Sequence, residues 1–262
     1  MKTKKELGQH WLHDVASLSA MADGVAATAD DSVLEVGPGL GTLTQVLIDR
    51  GAHVAAVEFD HDLAVGLPAR VQSDNLTVIE HDILTFDLTS LPPHFKVAAN
   101  IPYYLTSKLM RVLCESSNPF SRAALLVQKE VAERIAAPAG AMSMLSVSVQ
   151  YYCEVSLGKV VPAELFTPPP KVDSQIVLLR YRTEPLFADV DTKLFFRIVK
   201  AGFSNRRKKL RSSLSAGLAV SKPVVEQLLV TAAVDPNKRA QELSLEQWYA
   251  IYRSYHEQSI SR

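Results

Sequence analysis

A glycine-rich turn, Glu35-Val36-Gly37-Pro38-Gly39-Leu40-Gly41, ends the short apolar run Ser32-Val33-Leu34-Glu35-Val36 and opens a stretch with helical spacing at Leu43, Val46 and Leu47. A strand that stops at glycines and resumes as a helix points to a crossover connection, the route by which a chain reaches its next parallel strand. The pattern then repeats. Residues 53–59 are β-rich, 60–71 helical and 76–79 β-rich, while 96–101 and 123–128 read as buried strands around a helical stretch from about 105 to 115. This alternation predicts an α/β fold with a parallel sheet covered on both faces.

After residue 144 the rhythm changes. Residues 145–161 and 175–182 are β-rich with little helix between, which predicts an antiparallel pair closing one edge of the sheet. Pro162 and the triplet Pro168-Pro169-Pro170 stiffen the connection between them. Beyond Pro185 the β pattern stops, and residues 195–203, 206–214, 224–231 and 245–255 have helical spacing punctuated by Gly217, Pro223 and Pro236. The expected organisation is a catalytic domain over residues 1–184 and a small all-helical domain over 185–262.

Composition narrows the function classes. At 262 residues and 47% hydrophobic, the chain has material for a sizeable core and for more than one domain. No apolar run is long enough to cross a bilayer, and Lys2, Lys4 and Lys5 are followed by Glu6, Gln9, His10, His13 and Asp14 rather than by an apolar segment. A secretory leader is therefore not expected, and a cytoplasmic location is. Cys114 and Cys153 have no CxxC partner and no clustered histidine, so they read as buried free thiols, and no metal site is expected. Nothing in the sequence calls for more than a monomer.

The zero net charge conceals an imbalance: residues 183–262 carry 13 Lys/Arg against 8 Asp/Glu, and residues 1–182 carry 15 against 20. Its sharpest local form is Lys200, Arg206, Arg207, Lys208, Lys209 and Arg211, with no acid between 200 and 211. Read as a helix, this run puts 207 and 211 on one face and 206 with 209 or 210 on another. Phosphate contact with RNA is the favoured role, set against a merely solvated face.

The turn at 35–41 also indicates a ligand. Gly37 and Gly39 let the backbone approach one closely, since no Cβ intervenes. The spacing is G-x-G-x-G after an acid, whereas a dinucleotide fingerprint would need its third glycine at Thr42. Glu58 ends the second strand, where a carboxylate can accept from both hydroxyls of a ribose. Asp82 follows the third, beside Ile83, where an acid can accept from an adenine amino group while the apolar side chain lies on the ring. Each acid alone would read as a solvated loop residue or a helix cap. Acids at the carboxyl ends of three successive strands converge on one crevice and indicate a nucleoside with a free diol.

At the end of the fourth strand stands Asn100-Ile101-Pro102-Tyr103. The exocyclic N6 amine of adenine is a poor nucleophile because its lone pair is delocalised into the ring. An amide oxygen from Asn100 and a preset backbone carbonyl, of Ile101 or Pro102, can accept its two N–H groups and localise that pair. Tyr103 offers a ring face to an extruded base. No titratable base is required, and proximity and orientation carry the catalysis. Phe166, on the stiff connection, reads either as a second ring for the adenine or as an aromatic packed into the core.

These residues resemble the bacterial small-subunit (16S) ribosomal RNA adenine N6,N6-dimethyltransferases over nearly the whole chain. The shared segments include Leu7-Gly8-Gln9-His10-Trp11-Leu12, the 35–41 turn, Asn100–Tyr103, Gln128-Lys129-Glu130-Val131-Ala132-Glu133-Arg134, Phe166-Thr167-Pro168-Pro169-Pro170-Lys171-Val172-Asp173-Ser174 and Phe203-Ser204-Asn205-Arg206-Arg207-Lys208-Lys209-Leu210. The resemblance implies a Rossmann-like S-adenosylmethionine-dependent methyltransferase sheet with a helical RNA-binding domain. It further implies cofactor contacts from Gln9, His10, Leu12, Gly37, Gly39, Glu58, Asp82 and Asn100. Tyr103 and Phe166 are implied to stack on the target base, and the substrate to be two adjacent adenosines in the 3′-terminal hairpin loop of small-subunit rRNA, in the assembling small ribosomal subunit. Two departures stand out, His10 where asparagine is frequent and Ala163 in a Val-Pro-Pro-type run, and neither is expected to touch the chemistry.

Three other readings compete with this one. A large-subunit rRNA adenine methyltransferase of the macrolide-resistance type is disfavoured by the 166–174 run. A non-catalytic ribosome-assembly factor is disfavoured by the intact Asn100, Pro102, Tyr103, Glu58 and Asp82. A nicotinamide-dependent oxidoreductase is disfavoured by the glycine spacing.

Overall fold

The structure, a computed structural model, describes residues 9–260. Lys2, Lys4, Lys5 and the Leu7-Gly8 pair of the N-terminal motif lie outside the described residues. In chain order the elements are β1 (Trp11–Leu12), α1 (Val15–Gly24), β2 (Ser32–Val36), α2 (Thr42–Asp49), β3 (His53–Glu58), α3 (His61–Arg70), β4 (Leu76–Glu80), β5 (Lys96–Asn100), α4 (Thr106–Cys114), β6 (Arg122–Gln128), α5 (Lys129–Ile135) and α6 (Met144–Tyr152). They continue with β7 (Cys153–Val161), β8 (Phe166–Thr167), β9 (Ser174–Tyr181), α7 (Thr192–Phe203), α8 (Leu210–Leu218), α9 (Lys222–Thr231) and α10 (Leu245–Ile260).

Two compact units result. One holds the described residues up to Glu133 together with Cys153–Arg182, and the other holds Arg134–Tyr152 and the described residues from Thr183 onward. The first is built on a seven-stranded sheet of order β4-β3-β2-β5-β6-β9-β7. β4, β3, β2, β5 and β6 run parallel, β9 pairs antiparallel with β6, and β7 pairs antiparallel with β9 at the sheet's edge. The fold is Rossmann-like. Val33, Val54, Ala56 and Ala98 on the strands pack with Leu18, Met21 and Ala22 of α1 and Leu43 and Leu47 of α2 in one buried cluster. Strand order turns back at β2: the chain leaves it toward β3 and β4, then returns to β5 on its other side. A parallel sheet opens a crevice beyond the carboxyl ends of its strands at such a point.

The second unit is helical. Phe195, Ile198 and Val199 of α7, Leu210 and Leu214 of α8, Val225, Leu228 and Leu229 of α9, and Trp248, Ile251 and Tyr252 of α10 form its core. Its extent differs from a single boundary near residue 184, because residues 134–152 belong to it as well. The N–H groups of Gly140 and Met142 both donate to the Gln241 carbonyl, at 3.0 and 3.1 Å, which ties this loop to the helical unit rather than to the sheet.

The same contacts correct the expectation of a strand from residue 145, since residues up to Tyr152 form α6 and β7 starts at Cys153. Met142, Val147 and Tyr151 pack into the helical core, so tertiary burial overrides the β propensity of the valines and tyrosines. Ser143 caps the helix by accepting the Ser146 N–H at 3.2 Å. The basic run is corrected too. Residues 204–207 form a turn and α8 starts only at Leu210, so the face-sharing expected of 206–211 does not arise. Four adjacent cations oppose one another along a helix, whereas the turn spreads them into solvent.

Cys114 and Cys153 are free and buried, and the neighbouring Cys114 thiol together with burial pushes the Cys153 thiol up. Among the described residues no helix is long and apolar enough to cross a membrane.

Candidate active site

One cavity of the sheet unit lies at the carboxyl ends of β2, β3 and β5 and of the loop after β4. Its lining includes Gln9, His10, Leu12, Gly37, Gly39, Glu58, Asp82, Asn100, Pro102 and Tyr103. Ten of the residues expected at a site thus meet in one place, from segments up to 94 positions apart in the sequence.

The turn after β2 supplies the floor. Gly37 and Gly39 have φ of +67° and +58°, in the left-handed region that a side chain disfavours. A Cβ built on Gly37 meets nothing within 4 Å, and one on Gly39 comes 3.4 Å from the Trp11 indole. The glycines therefore serve backbone conformation and open space for a ligand more than tight packing. Glu58 folds back over this turn: one carboxylate oxygen accepts from the Gly39 N–H at 3.2 Å and the other from the Asp60 N–H at 2.9 Å. A carboxylate offers about four lone-pair sites, so capacity remains beyond these backbone donors for a ribose hydroxyl. Burial raises its pKa, which these backbone donors oppose. Asp82 engages one oxygen with the Leu84 N–H at 2.9 Å, leaving the other for an amino group, and Ile83 beside it is buried against the cavity.

Glu35 lies deepest. It is 1% exposed, and its Oε2 has no hydrogen-bond partner among the described residues. Burial pushes it up to about 8, and the neighbouring Glu58 carboxylate adds to the push. A cavity with a buried carboxyl whose Oε2 has no partner among the described residues, two glycines in the left-handed region and two further acids at strand ends fits a nucleoside such as S-adenosylmethionine.

The Asn100–Tyr103 segment forms the opposite wall. The Asn100 Nδ2 donates to the His10 carbonyl at 3.0 Å, which turns its Oδ1 away from that contact as an acceptor. His10 was not expected to bear on the chemistry, yet its backbone sets the amide's orientation. Its ring bonds the Pro168 carbonyl at 2.7 Å and stacks on Tyr103 with centroids 6.0 Å apart at 21°. The Tyr103 hydroxyl bonds Ser174 Oγ at 3.1 Å, so the ring is anchored at both ends. Of the two backbone acceptors left open by the sequence, the Pro102 carbonyl already accepts the Leu105 N–H at 2.9 Å. The Ile101 carbonyl is the better second acceptor.

Of the two readings open for Phe166, the structure takes the aromatic packed into the core over the stacking ring that the resemblance implies. Phe166 is 3% exposed and sits in the core cluster of the sheet unit, and it does not line the cavity. Its backbone pairs with Leu12 in the two-stranded β1–β8 sheet, and that pairing directs its ring inward. The sequence reading missed three aromatic liners, Trp11, Phe59 and Tyr104. Phe59 directly follows Glu58 and is 64% exposed, an unusual exposure for an apolar ring at the end of a buried strand. That position was the only signal for it.

The family described as ribosomal RNA adenine dimethylase matches residues 1–257. The ribosomal RNA small subunit methyltransferase A of Dehalococcoides mccartyi (strain CBDB1) is 39% identical over 97% of this chain and 89% of its own length. That of Lactococcus lactis subsp. lactis is also 39% identical, over 94% of this chain and 87% of its own length. Among solved structures, a dimethyladenosine transferase from Plasmodium falciparum superposes with a TM-score of 0.82 at 25% identity, covering 95% of this chain and 98% of the other. The 23S rRNA methyltransferase ErmE does so with a TM-score of 0.76 at 29% identity, covering 93% and 98%. With the glycine turn, the strand-end acids and the oriented amide of Asn100 in one cavity, the chain belongs to the ribosomal RNA adenine dimethylase family.

Proposed function

We propose that the chain dimethylates N6 of two adjacent adenosines in the 3′-terminal hairpin loop of small-subunit rRNA, with S-adenosylmethionine as cofactor. The observation that carries this reading is the Asn100 amide, whose nitrogen is engaged by His10 and whose oxygen is left to accept. The cofactor, when bound, supplies an electrophilic methyl group on a positively charged sulfur. Gly37, Gly39, Glu35, Glu58 and Asp82 would hold it, with Gln9, His10 and Leu12 closing over it.

The chain's own work is to hold and orient adenine. Asn100 Oδ1 and the Ile101 carbonyl accept the two N–H groups of the amine and localise its lone pair. Tyr103, with one face against His10, presents the other face to the purine ring. Formation of the N–C bond would break the methyl–sulfur bond and leave a neutral thioether, and the amine nitrogen would shed a proton for which water suffices as acceptor. Target adenines in a hairpin loop are less stacked than in a duplex and reach such a cavity at lower cost.

RNA phosphates would be met by the basic turn of the helical unit. Lys200, Arg206, Arg207 and Lys208 are exposed, and among the described residues no ion pair engages them, whereas Arg211 bonds Glu226 at 2.6 Å. We place the enzyme in the cytoplasm, as a monomer acting on the assembling small subunit. The large-subunit reading is not favoured: relatives named for the small subunit are 39% identical, against 29% for ErmE. Mass spectrometry of small-subunit and large-subunit rRNA fragments incubated with enzyme and labelled cofactor tests the assignment. Paired dimethyladenosines are expected in the small-subunit hairpin, and label confined to the large-subunit fragment would overturn it.

A further inference from the structure

A reaction on two adjacent adenosines raises a question that the cavity alone leaves open: where the neighbour sits while one base is held at Asn100. Tyr104 answers it geometrically. It lines the same cavity as Asn100, Pro102 and Tyr103, yet it is 63% exposed, and it is absent from the core cluster of the sheet unit. Its root is fixed, because the Leu105 N–H bonds the Pro102 carbonyl at 2.9 Å and Thr106 Oγ1 bonds the Tyr103 carbonyl at 3.2 Å. An exposed ring on a rigid turn gives the core nothing and gives a flat ligand a ready surface.

Tyr103 and Tyr104 are consecutive residues of one short helical turn and both line this cavity, which puts two aromatic side chains at one opening where consecutive bases of a strand could be met. Lys108, one helical turn beyond Tyr104 on α4, is exposed and borders a second depression that shares Leu84 with the main cavity. Arg111, further along α4, is engaged by Glu115 at 3.0 Å. Lys108 is thus the cation beside Tyr104 on that face that no described ion pair engages.

We propose that Tyr104 is a specificity-determining residue that stacks the adenine adjacent to the one being methylated, with Lys108 meeting the intervening phosphate. This deepens the rRNA-dimethylation reading and rests on it. Base–aromatic stacking is sequence-tolerant, so such a platform accepts the neighbour before and after its own methylation.

The test uses the full chain and two RNA hairpins, one with both adenosines and one in which the neighbour is abasic, with cofactor affinity measured in parallel. On the two-adenosine RNA, Tyr104→Ala is expected to lower kcat/KM about tenfold while Tyr104→Phe retains it. On the abasic RNA the wild type should already be about tenfold slower, and Tyr104→Ala should add nothing. Lys108→Gln should reduce the salt slope of RNA binding by about one. An equal loss from Tyr104→Ala on both RNAs, or on neither, overturns the platform while leaving the parent reading intact. Absence of methyl transfer by the wild type to either RNA overturns both.

Discussion

Replacing Glu35 by Gln should make the sheet unit more stable at neutral pH, with a pH dependence that identifies the cause. Glu35 is 1% exposed on β2, its register partners on β3 and β5 are Ala56 and Ala98, and burial outweighs the hydrogen bonds from Thr44 that oppose the upward shift. Burial raises its pKa from 4.5 to about 8, a change worth about 5 kcal/mol. The folded protein therefore keeps this proton up to about pH 8, whereas the unfolded chain releases it near 4.5. Between those values the native state binds one proton more than the unfolded state, and stability falls by about 1.4 kcal/mol per pH unit as pH rises. The cost is absent below pH 4.5, about 3 kcal/mol at pH 7, and complete above pH 8. Glutamine has no proton to lose and escapes it. Urea denaturation at a series of pH values, in a Trp248→Phe background that leaves Trp11 as the only tryptophan, isolates the sheet unit. The stability difference between variant and parent should widen steadily from pH 5 to 8 and then level off. Two profiles that stay parallel across that range would refute a protonated Glu35.

Asn100→Ala removes the amide oxygen and its tie to His10, and should cut methyl transfer by about 100-fold or more while cofactor affinity stays within about tenfold. Rapid-quench turnover with parallel calorimetry of cofactor binding separates the two effects. Glu58→Ala should instead raise the cofactor dissociation constant by roughly 10- to 100-fold, because charge-assisted bonds to a diol are lost; a defect in turnover alone would contradict its role. Replacing Arg206 and Arg207 together by Ala should lower the salt slope of RNA binding by about two without changing cofactor affinity, and an unchanged slope would remove the basic turn from the RNA interface.

Much of this site was legible before any tertiary contact was known. The glycine turn, the strand-end acids Glu58 and Asp82, and Asn100–Tyr103 are local signals, because turn chemistry and strand position are written in a few neighbouring residues. The same holds for the five parallel strands, whose apolar runs and intervening helical spacing need no distant partner to be recognised. Where the reading failed, the deciding partner lay far along the chain. Valines and tyrosines at 147–152 favour a strand locally, and burial against α7 and α10 makes them helical. Phe166 offered two readings, and pairing with Leu12 chose the core.

The sequence by itself determined the sheet, the crevice and the chemical groups that face it, since these follow from periodicity and from which residues end each strand. The tertiary structure alone decided which way the Asn100 amide points, which rings are left exposed, and how the basic turn escapes a helix. Orientation and exposure depend on groups such as His10, 90 positions from Asn100, and no local propensity carries that information.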